Sequence, residues 1–255
     1  MPEMPQILPI EPGYYANNIR NCSFGEFRRL GGGNLFTAAL SYIFRSALPA
    51  DFKEGHWLPQ YWDDIASDSS ELTQECLDAL LPPLAELERL GFYLASYQRV
   101  RRHLYPTTMD NGGAFLLHSS GEFVAPVIWI KNRKPTPQSE ELKLLTVAIG
   151  MSCVSGKVVT VLNSSLYLDP PPLRKIVALK DATVAVLWER AQKERQYLNT
   201  QGEQPRLIRL VEELKHTLNS EEERNWHDRI NVRRVMVRMS NEQIEAALQR
   251  MTANR

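Results

Sequence analysis

The chain has 255 residues, of which 43% are hydrophobic and 24% are charged, a composition typical of a globular protein with a substantial buried core. Its three cysteines, Cys22, Cys76 and Cys153, are far apart, which argues against a disulfide framework or a zinc site and favours a reducing compartment. No apolar run is long enough to span a bilayer, and the N-terminus lacks the features of a signal peptide. The sequence therefore predicts a cytoplasmic protein without a membrane span.

The charges of the chain sum to zero but are unevenly distributed. Residues 1–91 hold 6 Lys/Arg against 13 Asp/Glu, a net charge of −7, whereas residues 92–173 carry +3 and residues 174–255 carry +4. An acidic N-terminal third indicates electrostatic complementarity within the molecule or between subunits. A nucleic-acid-binding protein usually concentrates its basic residues, so this distribution gives that class only weak support.

A proline-rich, extended arm is predicted for residues 1–33, which end in Gly31-Gly32-Gly33. Asn34 is a favourable N-cap for a following helix over residues 35–48. This helix is apolar almost all round, which is typical of a helix that is buried on every side. We therefore expect it inside the protein.

A second helix is predicted after an aromatic and acidic loop over residues 49–68. A serine of the pair Ser69-Ser70 is its expected N-cap. Pro82-Pro83 is expected to end or kink the helix, and Gly91 is expected at its C-terminal cap.

The middle of the chain changes to the two-residue period of β-strands. Segments rich in β-branched and aromatic residues predict five strands, at residues 92–100, 114–118, 122–131, 142–153 and 157–163. Glycine-containing turns are predicted between several of them, at residues 110–113, 119–121 and 154–156. Sequential strands joined by tight turns form antiparallel sheets. The expected fold is therefore α+β, with an antiparallel β-meander of about five strands flanked by N-terminal helices and a C-terminal helical segment.

The remainder of the chain is predicted to be helical after Pro170-Pro171-Pro172. Helices are expected over about residues 173–201, 205–218 and 221–237, with a last one started by the capping box Ser240-Asn-Glu-Gln243. The resulting domain organisation has three parts: an extended arm over residues 1–33, an α+β core domain over residues 34–200 and a C-terminal helical segment over residues 201–255.

A set of short motifs between residues 80 and 200 resembles a family of uncharacterised bacterial proteins. The motifs are the segment Leu90-Gly91-Phe92 after a helix, the spacing of Ser152, Gly156, Thr160 and Asn163, the step Pro170–Pro172, and the helical segment Leu187–Arg190. The chain departs from the family pattern at Ala191, where a histidine often stands. The resemblance covers about half of the chain and implies an α+β fold without an assigned activity.

No catalytic, metal-binding or cofactor-binding motif is present in the sequence. The glycine triplet is not followed by the Lys and Ser/Thr of a phosphate-binding loop. Ser152 and Cys153 lie in a predicted strand and lack the elbow sequence that activates a serine nucleophile. The five histidines have no spacing typical of metal ligands. The sequence thus predicts no catalytic residue, no metal and no cofactor, although it leaves an enzymatic activity open.

Three aromatic side chains, Trp57, Tyr61 and Trp62, are candidates for a binding site in the loop before the second helix. Aromatic residues in a loop can anchor a partner or line a pocket. They can equally fold over the core as a lid. The lid interpretation is slightly favoured.

Two groups of arginines are further candidates. Arg99, Arg101 and Arg102 alternate along a predicted strand with tyrosines nearby, a combination that can bind single-stranded nucleic acid by charge and stacking. Arg229 and Arg233 share one face of a predicted helix. The favoured interpretation of the first group is a solvated strand end that pairs with the acidic N-terminal third. Acidic residues next to the second group dilute its charge, so a solvated helix face is favoured there.

The sequence leaves three functions open. The first is a non-enzymatic interaction or regulatory protein that acts through protein–protein contacts or self-association, supported by the amphipathic C-terminal helices, the proline-rich arm and the uneven charge. The second is a small-molecule or lipid-type binding domain, because a curved antiparallel sheet crossed by a helix often encloses an apolar space. The third is a nucleic-acid-binding protein that uses the basic strand and helix. The sequence favours the first.

Overall fold

A computed structural model describes residues 10–30, 32–45, 51–99, 109–132, 142–165 and 169–253. These residues form the helices α1 (Phe24–Leu30), α2 (Leu35–Ile43), α3 (Trp62–Ile65), α4 (Gln74–Arg89), α5 (Val184–Thr200), α6 (Val211–His227) and α7 (Asn241–Ala253). They also form the strands β1 (Gly13–Asn17), β2 (Asp51–Leu58), β3 (Ala66–Ser67), β4 (Phe92–Gln98), β5 (Met109–His118), β6 (Val124–Asn132), β7 (Leu142–Ser152), β8 (Val158–Leu162), β9 (Arg174–Ala178) and β10 (Met236–Arg238).

The strands are arranged in two sheets. The larger sheet has seven strands in the order β3-β4-β5-β6-β7-β8-β9, antiparallel throughout except for the parallel pair β8 and β9. The smaller sheet is antiparallel, in the order β10-β1-β2. The predicted α+β class is confirmed, and the five predicted strands correspond to β4–β8. The predicted meander is too small, because β3 and β9 extend the sheet at both edges and a second sheet is present.

Strand β9 occupies residues for which the sequence predicts a helix. It pairs in parallel with β8, and the amide of Val158 donates a 2.8 Å hydrogen bond to the carbonyl of Leu173 just before β9. The helix α5 begins only after Thr183, whose hydroxyl caps it by accepting a hydrogen bond from the amide of Val186 at 3.4 Å. Pairing with an available sheet edge therefore decides the conformation of β9.

The C-terminal part also differs from the predicted pair of helices over residues 205–237. A single helix, α6, is followed by a π-helical turn over Asp228–Val232 and then by β10. The predicted capping box is confirmed: the amide of Gln243 donates to the Ser240 hydroxyl at 3.3 Å, and the amide of Ser240 donates to the Gln243 side chain at 2.8 Å. The capping signal at Ser240 is therefore correct. The predicted cap of α4 at Ser69 or Ser70 is wrong, because Thr73 caps this helix by accepting a 3.3 Å hydrogen bond from the amide of Cys76.

The predicted turn at residues 110–113 lies inside β5 instead. A Cβ atom at Gly112 would lie 2.5 Å from the Cys76 sulfur, and one at Gly113 would lie 2.4 Å from the carbonyl oxygen of Val127. Side-chain carbons do not approach other atoms so closely. The glycines are therefore required by close packing within and above the sheet rather than by a reversal of the chain.

The first face of the large sheet, towards which Ala114 and Leu116 point, is covered by α4 and α5. Leu80, Leu87 and Leu187 of these helices are fully buried against it. Helix α4 continues through Pro82 and Pro83 and does not end there. Two prolines cost two backbone hydrogen bonds, and burial of the apolar stripe of α4 on the sheet offsets that loss.

The second face of the large sheet carries the alternate residues of the same strands, such as Phe115 and Leu117. Helices α3 and α6 cover this face and bury Trp62 and Leu214 against it. This layer, sheet plus α6, positions the candidate functional site.

Helices α1 and α2 form a hairpin, and its conformation corrects two expectations. Residues 1–9 of the predicted arm lie outside the described residues, and the rest of it includes the strand β1 and the helix α1. Asn34 caps α2 as predicted, accepting a 3.1 Å hydrogen bond from the amide of Thr37. The expectation that α2 is buried is wrong, because only Ala38 of this helix is buried and Phe36 is 73% exposed.

No described helix is long and apolar enough to cross a membrane.

Candidate functional site

A cavity of about 290 Å³ lies between the second face of the large sheet and α6. One water molecule needs only about 10–15 Å³, so the space is far larger than a site for single waters. Apolar side chains from the sheet, α3, α6 and the segment before α6 form more than half of its lining: Trp62, Ile65, Phe115, Val124, Pro126, Ile128, Met151, Val158, Ile208, Leu214, Leu218 and Trp226. Ile128 on its wall is 36% exposed, so the cavity reaches the molecular surface.

Gly150 of β7 contributes to the size of the cavity. It lies on the second face between Val124 of β6 and Thr160 of β8. A Cβ atom at this position would meet its nearest neighbours at 3.6 Å, which is ordinary van der Waals contact. The missing side chain therefore leaves usable space rather than relieving a clash.

One end of the cavity is polar. Glu221 of α6 is only 8% exposed, and its carboxylate accepts hydrogen bonds from the Ser152 hydroxyl and, at 3.0 Å, from the Arg174 guanidinium. The positive charge of Arg174 is thereby compensated by a carboxylate inside the protein, which a buried charge requires. This network links β7, β9 and α6 at the cavity wall.

Four buried polar atoms at the C-terminal end of α6 have no hydrogen-bond partner among the described residues. They are Asn225 Oδ1, Trp226 Nε1, Asp228 Oδ2 and Arg229 Nε. Each such atom costs roughly 1–3 kcal/mol when it is removed from water without a partner. Trp226 lines the cavity, and the guanidinium carbon of Arg229 lies 5.7 Å from the centre of its ring. The π-helical turn that begins at Asp228 is a type of distortion often found at functional sites.

Burial shifts the ionisation of two of these groups. It lowers the pKa of Arg229, an effect that the neighbouring Arg174 and Arg233 reinforce and that Glu222 opposes. It raises the pKa of Asp228, against the influence of Arg233 and Arg229. Burial thus disfavours the charged form of Asp228, which lowers stability wherever this carboxyl group is ionised.

We expect Asp228→Asn to stabilise the protein at neutral pH by roughly 1 kcal/mol, because a neutral amide is less costly to bury than a carboxylate. Because the folded-state pKa of Asp228 is raised, the folded state favours the protonated carboxyl group. This favourable contribution is fully present below the unfolded-state pKa and is lost as the pH rises through the folded-state pKa, where the ionised group destabilises the protein. The gain should therefore be seen at pH 7 and shrink in acid, as measured by urea denaturation at both pH values. Asp181→Asn is the matched control at an exposed position. An equal gain at both pH values would contradict the assignment.

The predicted aromatic residues are only partly brought together. Trp62 is 6% exposed, lies 5.1 Å from the ring of Phe115 in the cavity wall, and its amide donates to Asn219 of α6 at 2.8 Å. The hydroxyl of Tyr61 hydrogen-bonds to Glu223 of α6, and burial together with this carboxylate raises the pKa of Tyr61. Trp57 lies apart, edge-on to Tyr14 in the small sheet at 5.1 Å. Tyr61 and Trp62 thus fix the loop to α6 at the edge of the cavity.

The predicted basic residues do not form one surface within the described part of the chain. Arg99 donates a 2.7 Å hydrogen bond to the carbonyl of Glu71, whereas Arg101 and Arg102 lie outside the described residues. Arg233 forms an ion pair with the fully buried Glu26. The guanidinium carbon of Arg229 lies 5.7 Å from the ring centre of Trp226, which lines the cavity.

The cysteines are all reduced and buried. Burial raises the pKa of both Cys22 and Cys76 to about 11 and also raises that of Cys153. A nucleophilic or metal-binding cysteine needs a thiolate, which these environments disfavour. Within the described residues, no group of three His, Cys, Asp or Glu side chains is placed to hold a metal ion.

Sequence reasoning missed the polar residues of the cavity, namely Arg174, Glu221 and Trp226. Arg174 and Glu221 are 47 positions apart, and Ser152 is 69 positions from Glu221. No local motif joins them, and only the layering of α6 over β7–β9 brings them together.

Comparisons with protein-family models, curated proteins and solved structures found no match to the chain.

Proposed function

We propose that the protein binds a small amphiphilic molecule in the cavity between the large sheet and α6. The observation that carries this proposal is a cavity of about 290 Å³ with largely apolar walls, one of whose lining residues, Trp226, belongs to a group of buried side chains with polar atoms that have no partner among the described residues. Ligand sites are typically concave, mostly apolar and furnished with a few polar groups that orient the ligand. The apolar body of the ligand would pack on Phe115, Val124 and Leu214, with its polar head towards Trp226.

The charges around the cavity favour a head group without net charge. Arg174 is compensated by Glu221, and the neighbourhood of Arg229 contains both Glu222 and Asp228. The unpaired atoms comprise two donors, on Trp226 and Arg229, and two acceptors, on Asn225 and Asp228. A head that both donates and accepts hydrogen bonds, such as a diol, an amide or a zwitterion, would satisfy both kinds.

The experiment is a binding titration with a medium-chain monoacylglycerol, which joins an apolar chain to two hydroxyl groups. Trp62 and Trp226 line the cavity, so tryptophan fluorescence should report binding directly. We expect saturable 1:1 binding, and weaker binding of the fatty acid of the same chain length. Native mass spectrometry of gently purified protein should show a co-purified ligand of similar class.

Gly150→Leu is the test variant, because its side chain would fill the floor of the cavity, and Gly150→Ala is its matched control. The leucine variant should fold and lose binding at least tenfold, since a Leu side chain displaces ligand contacts worth roughly 1.5–3 kcal/mol. The alanine variant should retain most of the affinity. Absence of both a co-purified ligand and saturable binding, or equal binding by Gly150→Leu, would overturn the proposal.

The other two functions have different support. A nucleic-acid-binding function would need an exposed basic surface, whereas Arg99 and Arg233 are engaged in hydrogen bonds with protein groups. An interaction or regulatory function through protein–protein contacts remains a prediction.

A further inference from the structure

The hairpin of α1 and α2 leaves an unusually apolar surface exposed. The two helices meet through Tyr42, whose ring packs edge-on against Phe24 and Phe27 at 5.8 and 6.1 Å. Other large apolar side chains of α2 and its C-terminal end are 42–73% exposed, and we call this group the α2 face: Leu35, Phe36, Leu40, Ile43 and Phe44. Single exposed apolar residues are ordinary, but a contiguous group of this kind marks an interaction site.

The stretch of chain that forms the hairpin is rich in arginine. Residues 13–45 contain four arginines, at positions 20, 28, 29 and 45, and a single acidic residue, Glu26. Glu26 is fully buried and paired with Arg233, whereas Arg29 is paired with Asp169, whose side chain is 42% exposed. Arg28 is exposed beside the face. The hairpin is therefore a basic region inside the acidic N-terminal third of the chain.

We propose that the α2 face docks on a lipid surface that carries anionic head groups. An interfacial helix inserts large apolar residues to the depth of the acyl boundary while flanking arginines contact phosphates. Nine residues give α2 a length of about 14 Å, well short of the roughly 30 Å hydrocarbon core, so the helix would lie on the bilayer rather than span it.

The charge distribution distinguishes this occupant from a second copy of the chain. A symmetric pair of α2 faces would bring two arginine-rich rims together, because a twofold contact apposes each surface with itself. An anionic membrane instead offers a continuous negative surface to the same rim. The proposal concerns a surface separate from the cavity and does not depend on the identity of a cavity ligand.

The test is co-flotation of the full chain with vesicles of phosphatidylcholine alone or of phosphatidylcholine mixed with phosphatidylglycerol. We expect flotation with the mixed vesicles, weakened by salt because the arginine contribution is screened. The double variant Phe36→Ser/Ile43→Ser should partition on the order of tenfold less, since two apolar anchors are lost. Val154→Ser/Val186→Ser removes exposed apolar side chains elsewhere and should float as the wild type does.

Circular dichroism of each variant establishes that it is folded before flotation is measured. The proposal is overturned if the folded wild-type protein fails to float with mixed vesicles at low ionic strength, or if Phe36→Ser/Ile43→Ser floats equally well. Light scattering that shows a dimer dissociated by the same double substitution, without flotation, would assign the α2 face to a second copy instead. Capture of an acidic protein without lipid binding would likewise overturn it.

Discussion

Replacing Glu26 with alanine is expected to lower the free energy of unfolding by about 3–5 kcal/mol, the range for removing one partner of a buried ion pair. Glu26 is fully buried, and its carboxylate accepts 2.7 Å hydrogen bonds from the amides of Ser23 and Asp169 in addition to its ion pair with Arg233. The substitution leaves a largely buried guanidinium and two amides without their acceptor. Urea denaturation followed by circular dichroism measures the loss.

Two controls separate the ion pair from a general effect of removing a glutamate. Glu189 is exposed on α5, and Glu189→Ala should change stability by no more than about 0.5 kcal/mol. In a double-mutant cycle, Arg233→Ala should cost much less in the Glu26→Ala background than alone, because the two residues act on one interaction. Strictly additive effects would contradict the assignment.

The same ion pair explains how the N-terminal hairpin is held. Glu26 on α1 contacts Asp169 before β9 and Arg233 after the π-helical turn, so one carboxylate joins three segments that are distant in sequence. Arg233 also donates a 2.8 Å hydrogen bond to the carbonyl of Asp169. The hairpin that carries the α2 face is thereby fixed to the region next to the polar end of the cavity.

Local signals predicted the parts of the fold that depend on neighbouring residues. The cap at Asn34, the left-handed residue Gly91 at the end of α4 and the capping box at Ser240 are each decided within one turn of helix. The alternation along β4–β8 is equally local, because strand periodicity follows from which face is buried.

Features that depend on distant contacts could not be predicted in this way. Strand β9 forms because β8 offers an unpaired edge, and the α2 helix is exposed although its composition is that of a buried helix. In the candidate site, Trp62 could be anticipated from the aromatic loop, whereas Arg174 and Glu221 meet only through the packing of α6 on the sheet. The sequence alone shows which aromatic and charged residues are present, but it does not show which of them contact one another in the folded protein.

Gly113→Ala is expected to destabilise the protein by about 1–3 kcal/mol or more, the usual cost of forcing atoms into a filled space. Its Cβ would lie 2.4 Å from the carbonyl oxygen of Val127, a ladder atom of β6 that cannot move without disturbing the sheet. It would also press on the Gln98 side chain at 2.7 Å. Thermal or urea denaturation of the variant measures the effect.

Gly150→Ala is the matched comparison, since both glycines lie within strands and on the second face of the same sheet. Its Cβ has ordinary 3.6 Å contacts, and alanine is favoured over glycine in a strand by roughly 0.5–1 kcal/mol. We therefore expect Gly150→Ala to be neutral or slightly stabilising. Equal destabilisation by both substitutions would mean that the floor around Gly150 is tightly packed. In that case the cavity would lack the space on which the proposed ligand depends, so this pair tests the fold and the site together.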